Sequence, residues 1–228
     1  MNWCIQILKK LLRDADLYKD LIPTVAQEIR VCVRLSDSME SATIVVADEM
    51  KVLEDSAKPD ITLIMNSTAL RDIVDGKADA FALIGRGRMD EKRPIEFEIH
   101  TKERTKEIWE VGKALLTYFF TPGKIKVKSL DPERAGHAHG AHPIPLVYWN
   151  GMRYSWILVK SGETLNKDGE KDPWPQAFVV LEGKGMATIR DTRFQIEAEK
   201  AIYVPTNSIH QITAEEDLKL LWLAWNAW

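Results

Sequence analysis

The spacing of apolar and polar residues changes several times along the chain, and each change marks an element. Cys4, Ile7, Leu8, Leu11, Leu12 and Leu21 alternate with Lys9, Lys10, Arg13 and Asp14. That is one face of an amphipathic helix over residues 4–22, packed on its own domain and closed by Pro23. From Ile29 to Met65 the pattern becomes that of strands, at 29–35, 42–47, 51–53 and 61–65, with polar turns such as Ser36-Asp37-Ser38 and Asp55-Ser56 between them. Asn66-Ser67-Thr68 offers N-cap side chains, Leu70, Ile73 and Val74 an apolar face, and Gly76 a helix stop. Residues 81–84 and 95–99 predict two more strands, the second alternating Ile95, Phe97 and Ile99 with Glu96, Glu98 and His100. Ile108, Trp109, Val111, Leu115, Leu116 and Phe119 mark a second amphipathic helix ending before Pro122-Gly123. Ile125 and Val127, between Lys124, Lys126 and Lys128, predict a short edge strand.

Ser129–Pro145 has no apolar period and is punctuated by Asp131-Pro132, Gly136, Gly140, Pro143 and Pro145. The predicted division is therefore a domain over 1–128, a linker over 129–142 and a second domain over 143–228. The second domain reads as short strands joined by tight turns. Leu146–Trp149 turns at Asn150-Gly151 and returns through Arg153–Lys160. Ala177–Leu181 meets the turn Glu182-Gly183-Lys184-Gly185, and Met186–Arg190 turns at Asp191-Thr192. Phe194, Ile196 and Ala198 alternate with polar residues, Ala201–Val204 stops at Pro205, and His210 follows Thr206-Asn207-Ser208. This spacing predicts a small antiparallel barrel or sandwich. Leu218–Trp228 is apolar on both faces, a strand buried on both sides or capped by a partner.

Two resemblances follow from these stretches. Tyr203-Val204-Pro205, then Ser208-Ile209-His210, together with Phe178-Val179-Val180-Leu181-Glu182-Gly183 and Gly185, resemble the two motifs of the cupins. The resemblance implies an all-β double-stranded β-helix barrel. In metal-binding cupins the first motif brings two histidines and a glutamate. Here the glutamate position is Gln176, the segment before it has no histidine, and of the usual ligand set His210 alone remains. The order helix, strands, short helix, strands and helix over about 1–120 resembles the sterol-carrier-protein fold. Its most specific part is Ser67-Thr68-Ala69-Leu70-Arg71-Asp72-Ile73-Val74-Asp75-Gly76-Lys77. That resemblance implies an α+β domain, a sheet with helices on one face, and an apolar tunnel for acyl chains, sterols or other bulky apolar molecules.

Composition narrows the choice of function. The 228 residues hold 31 Lys and Arg against 34 Asp and Glu, a formal charge of -3. Residues 1–128 carry 21 basic and 21 acidic side chains, and 143–228 carry 9 and 11. Neither half has the basic surplus of a nucleic-acid binder. No apolar run approaches the roughly 20 residues of a membrane-spanning helix, and MNWCIQILKKLLRD lacks the form of a signal peptide. Cys4 and Cys32 have no metal-ligand spacing. Read as reduced thiols they fit a cytoplasmic protein, with a disulfide between them left open.

His137, His139 and His142 lie within six residues of one another. Neutral imidazoles ligate transition metals, so a linker folded over the barrel mouth could join them to His210 in a non-standard site. The simpler reading is a solvated polar loop. His210 itself can contact a ligand, move a proton or sit satisfied in the core, and Gln176 keeps hydrogen-bonding capacity without charge. Asp168, Glu170 and Asp172 alternate, but Gly169 and Pro173 mark a solvated turn. Five of the eight tryptophans fall in the last third, Trp156, Trp174, Trp222, Trp225 and Trp228. They read as core and dimer interface or as an aromatic pocket. Candidate ligand-binding residues are thus His210, Gln176, Trp156, Trp174, Phe178 and Trp222. Candidate metal ligands are His210, His137, His139 and His142, and no catalytic residue stands out.

The expected function is non-catalytic binding of a small, largely apolar molecule, as carrier or sensor, without a cofactor. The barrel would serve as a ligand-binding module or homodimer interface. The alternative is a metal-dependent cupin enzyme, an isomerase or oxygenase, with a divalent transition metal on His210 and the linker histidines.

Overall fold

The computed structural model describes residues 2–54 and 58–226. The chain forms two compact units, Met1–Ile84 with Lys92–Ser129 and Gly85–Glu91 with Leu130–Trp228. The turn residues Asp55 and Ser56, and Trp228, lie outside the described residues.

In the first unit, α1 (Trp3–Ala15) starts where the Asn2 side chain accepts the Ile5 N–H at 3.2 Å, an N-cap. It buries Cys4, Ile7, Leu8 and Leu11, and Asp16–Leu21 continues as a 3₁₀ turn. The strands β1 (Ile29–Leu35), β2 (Ser41–Val46), β3 (Lys51–Leu53), β4 (Ile61–Met65) and β5 (Glu96–Ile99) form one sheet, in the order β3-β2-β1-β4-β5. β1 and β4 run parallel and the other neighbours antiparallel. Register aligns Ile44, Val31 and Ile61 in one row and Ala42, Val33 and Leu63 in the next. All six are buried. Helix α1 packs on β2 and β3. The connections carry α2 (Ser67–Val74), α3 (Ala80–Ile84) and α4 (Thr105–Ala114), the last running on as a π-helical turn over Leu115–Phe119. Asn66 caps α2, and Gly76 follows it at φ 69°.

Two expectations fail here. Residues 81–84 are helical, because Asp79 accepts the Ala82 N–H at 2.9 Å and its carbonyl accepts that of Leu83. A four-residue apolar run does not distinguish a buried strand from a helical turn by period. Residues 124–128 form no strand. The Lys126 N–H donates to the Tyr18 hydroxyl at 2.9 Å, and its Nζ donates to the Thr121 carbonyl at 2.6 Å. Ile125 and Val127 remain exposed. Cys4 and Cys32 are free and buried. Burial pushes the Cys4 thiol up to about 12, which leaves it protonated and inert.

The second unit contains β6 (His142–Trp149), β7 (Met152–Val159), β8 (Thr164–Leu165), β9 (Gln176–Glu182), β10 (Lys184–Ile189), β11 (Thr192–Glu197), β12 (Ala201–Val204), β13 (His210–Ala214) and β14 (Leu218–Ala224). They make two sheets, β12-β9-β14-β7-β6 and β11-β10-β13-β8. Asn150 (φ 46°) and Gly151 (φ 76°) close the β6–β7 hairpin, as their sequence predicts. The two sheets enclose a core of Ile157, Val159, Leu165, Phe178, Val180, Ala187, Ile196, Ile202, Ile212, Leu218 and Leu220.

β14 is a central strand, flanked by β9 and β7, so its two apolar faces reflect burial within its own sheet. The stretch read as a linker is tied into this unit. Gly136 N–H donates to the Pro143 carbonyl, Ala138 and Ala141 pair with each other, and Asn166 N–H donates to the His139 carbonyl. β6 begins at His142 because these bonds fix the chain ahead of it.

Between β9 and β10 the chain changes sheets at Gly183 (φ 85°), and Gly185 follows as the second residue of β10. A Cβ on Gly185 would overlap the Thr213 carbonyl oxygen of the paired strand β13. Gly185→Ala should therefore lower unfolding free energy by about 2–3 kcal/mol, read as a shifted urea midpoint. An unchanged midpoint would show that the corner tolerates a side chain.

Candidate functional site

Register in the larger barrel sheet sets what faces the interior. Strand side chains alternate between faces, and paired residues share one. Leu220 lies beside Ile157 and Val180, and the next row is Ser155, Trp222, Phe178 and Ile202. The row after it is Arg153, Ala224, Gln176 and Val204. The inward wall thus passes from wholly apolar to polar along its length. On the smaller sheet, Ala214, Ile212 and His210 alternate inward along β13. His210 meets the aromatic row, its ring 5.7 Å from that of Phe178.

The loop from Asn166 to Pro175 crosses this end. Asn166, in left-handed conformation at φ 55°, donates through Nδ2 to the carbonyls of Glu170 (3.0 Å) and His210 (2.8 Å). The Asp172 carbonyl accepts the Asn207 N–H at 2.7 Å. The loop so fixed delivers Asp172 and Trp174. Trp222 Nε1 donates to Gln176 Oε1 at 2.7 Å, and Gln176 Nε2 donates to Asp172 Oδ2 at 2.7 Å. Gln176 therefore spends both ends of its amide in one chain of bonds. The Arg153 guanidinium stacks 4.2 Å above Trp174 and lies 5.9 Å from the Tyr148 ring.

His210 is buried, and burial lowers its pKa from 6.5. His139 pushes the same way, while the Ser208 carbonyl and Asp172 oppose it. The ring is therefore neutral near pH 7. Its Nδ1 lies 3.3 Å from the Ser208 carbonyl. A carbonyl only accepts, so Nδ1 carries the proton and Nε2 is left as an acceptor.

With this geometry established, two families match the sequence. The SCP-2 sterol transfer family matches residues 6–92, and the cupin domain matches residues 156–225. The chain joins a sterol-carrier-like domain to a cupin-like barrel. Solved structures similar to it include a cupin 2 conserved barrel domain protein from Salinispora arenicola, at 18% identity over 45% of this chain and 90% of that one (TM-score 0.40). Another is the plu4264 protein of Photorhabdus luminescens, at 18% identity over 43% and 86% (TM-score 0.38). The cupin domain of Schizosaccharomyces pombe Cnp3 aligns at 16% identity over 37% and 64% (TM-score 0.33). No curated protein matches the sequence.

Of the residues singled out from sequence, the cupin-like barrel brings His210, Gln176, Phe178, Trp222 and Trp174 to one end. Trp156 stands apart. It is one residue out of phase with Ser155 and Ile157, points to the outer face of the sheet, and is 2% exposed in a cluster with Ile144 and Leu158. Its ring is core there, away from the interior.

The linker histidines also diverge from the expected site. His137 is exposed and meets the ring of His142 edge-on at 5.3 Å. His142 Nε2 lies 3.0 Å from a Glu163 oxygen, and His139 Nδ1 lies 3.0 Å from Glu170 Oε2. Among the described residues no three His, Cys, Asp or Glu side chains converge as a metal cage. These donors do not fit the shared metal site that would join them to His210.

Sequence reasoning missed Arg153, Tyr148 and Ser155, and placed Asp172 in a solvated turn. For Arg153 a signal existed. It occupies the inward phase set by Ile157 and Val159, where a charge calls for an explanation.

The depressed His210 pKa has a signed consequence. Below 6.5 the unfolded chain takes up a proton that the folded ring resists, so stability is full above that pH and falls as pH drops toward the folded value. His210→Gln should flatten that fall in urea midpoints measured from pH 7.5 to pH 5. Parallel curves for the variant and the parent would place the titration elsewhere.

Proposed function

We propose that this chain is a non-catalytic carrier or sensor of small molecules, with the N-terminal domain receiving a bulky, largely apolar ligand. The observation that carries this reading is the sterol-transfer family match over residues 6–92. That family supplies the ligand class, an acyl chain or sterol. The domain's own layering supports it. The rows Ile44, Val31, Ile61 and Ala42, Val33, Leu63 form an apolar floor, and α1 contributes an apolar underside. Surfaces of that kind favour apolar molecules by roughly 25 cal/mol for each Å² withdrawn from water.

Titrating the full chain with dehydroergosterol and with a fluorescent long-chain acyl ester tests this directly. Saturable binding of at least one, near one equivalent per chain, is expected. Failure of both to saturate would contradict the reading.

The barrel is proposed to serve as a second ligand site and as the homodimer contact. Supporting the contact, edge strand β12 and its neighbour β9 leave Tyr203, Val179 and Leu181 exposed (71%, 40% and 44%). Apolar side chains along a sheet edge invite pairing. The surface expected in the last strand thus moves to this edge, since β14 is central. Light scattering of the parent should give twice the chain mass, and the double substitution Val179→Lys with Tyr203→Lys should give one. A monomeric parent would refute the dimer.

Among the described residues no helix is long and apolar enough to cross a membrane. Cytoplasmic residence is proposed from the buried, reduced thiols.

A further inference from the structure

The polar end of the barrel contains more hydrogen-bonding capacity than its own residues use. Arg153 occupies the last inward row of the larger sheet, beside Gln176 across β14. Among the described residues no carboxylate forms an ion pair with its guanidinium, and its buried Nε has no hydrogen-bond partner. Trp174, on whose ring the guanidinium lies at 4.2 Å, also has a buried Nε1–H without a partner. Leaving a buried donor unmade costs about 1–3 kcal/mol, more for a charged group, so two at one spot call for an acceptor. Stacking occupies the faces of the guanidinium and indole. Their N–H groups lie in the ring planes, so stacking leaves them unsatisfied.

The surroundings narrow what that acceptor is. Tyr148, beside Arg153, is a neutral hydroxyl because burial raises its pKa. Asp172 uses Oδ2 on Gln176 and brings a negative charge to the same end. His210 presents a neutral acceptor nitrogen after Nδ1 turns to Ser208. A dianion would meet Asp172 with one arginine to balance two charges. A single carboxylate matches the fork of the guanidinium bidentately, and a neighbouring hydroxyl or amino group would have acceptors in Asp172 and His210. Phe178, Trp174 and Trp222 supply flat walls.

We infer that this end of the barrel binds a small organic monocarboxylate, held by Arg153 and the Trp174 N–H, with an aromatic or hydroxylated body against Phe178, Trp222 and His210. The site is separate from the apolar ligand of the N-terminal domain. It rests on the reading of the barrel as a ligand-binding module.

The test uses the full chain and isothermal titration calorimetry with lactate, mandelate, benzoate and salicylate, each against its neutral amide, and with inorganic phosphate. At least one acid should bind saturably, with its amide and phosphate about tenfold weaker or worse. Arg153→Met keeps the stem that packs on Trp174 and removes the fork. It should abolish the calorimetric signal while leaving the ligand-free melting temperature equal or higher, because a half-buried charge whose Nε–H has no partner is removed. A purely structural Arg153 predicts the opposite, a lowered melting temperature with binding retained by Arg153→Lys and Arg153→Met alike. Absence of binding by all four acids, or equal binding of acid and amide, would overturn the assignment. Dehydroergosterol binding, measured alongside on the same variants, should be unchanged. Its loss in the parent would fail the carrier reading without touching the barrel result.

Discussion

The chemistry of the barrel depends on the register of three strands, β7, β14 and β9. Because β14 pairs on both sides, the phase of its seven residues fixes which side chains of its neighbours face inward. Ser155, Trp222 and Phe178 fall in one row, and Arg153, Ala224 and Gln176 in the next. A slip of one residue would turn Trp156 and Leu158 into the interior and put Arg153 outside. The outer cluster of Ile144, Trp156 and Leu158 resists that slip by burying the opposite phase. The corner glycines 183 and 185 resist it too, because each lies against backbone of a neighbouring segment. Packing on both faces of one sheet thereby holds a polar row at a chosen depth.

That row carries a cost which the structure meets only in part. Gln176 bridges Trp222 and Asp172 with one bond at each end of its amide, and His210 avoids charge by burial. Arg153 and Trp174 instead satisfy each other's faces and leave their N–H groups unused. A fold that completes one polar chain and leaves the adjoining donors open is arranged for a guest, since a closed core would have replaced both by apolar residues at little cost. The N-terminal domain follows another logic. The rows Ile44, Val31, Ile61 and Ala42, Val33, Leu63 are aliphatic and its thiols are protonated, which suits a ligand held by area rather than by directed bonds.

The legible parts of the sequence were those written in local chemistry. Asn150-Gly151 set a hairpin, Asn66 and Gly76 bracketed a helix, and Pro205 with Asn207 placed the turn before His210. The long helical periods were equally clear. Short apolar runs were not. Residues 81–84 became a helix through one Asp79 side chain, and 124–128 lost their strand to bonds with Tyr18 and Thr121. Tyr18 is distant in sequence, and Asp79 and Thr121, though near, act through polar bonds that an apolar period does not report. At the site, His210, Gln176, Phe178, Trp174 and Trp222 were legible through motif position and aromatic content. Trp156 misled because residue type says nothing about phase. Arg153 stood in the inward phase of Ile157 and Val159, but its neighbours required the register of β7, β14 and β9, and Asp172 required the course of the 166–175 loop.

In the proposal, the barrel end takes an organic ligand through Arg153, Trp174 and His210 in place of a metal. Native mass spectrometry of the full chain as purified tests it most directly. The account predicts the mass of the proposed homodimer, with or without a small organic molecule on each chain, and no stoichiometric transition metal. A metal retained at one per chain would contradict it, and would show that His210 finds partner ligands which the present arrangement does not bring together.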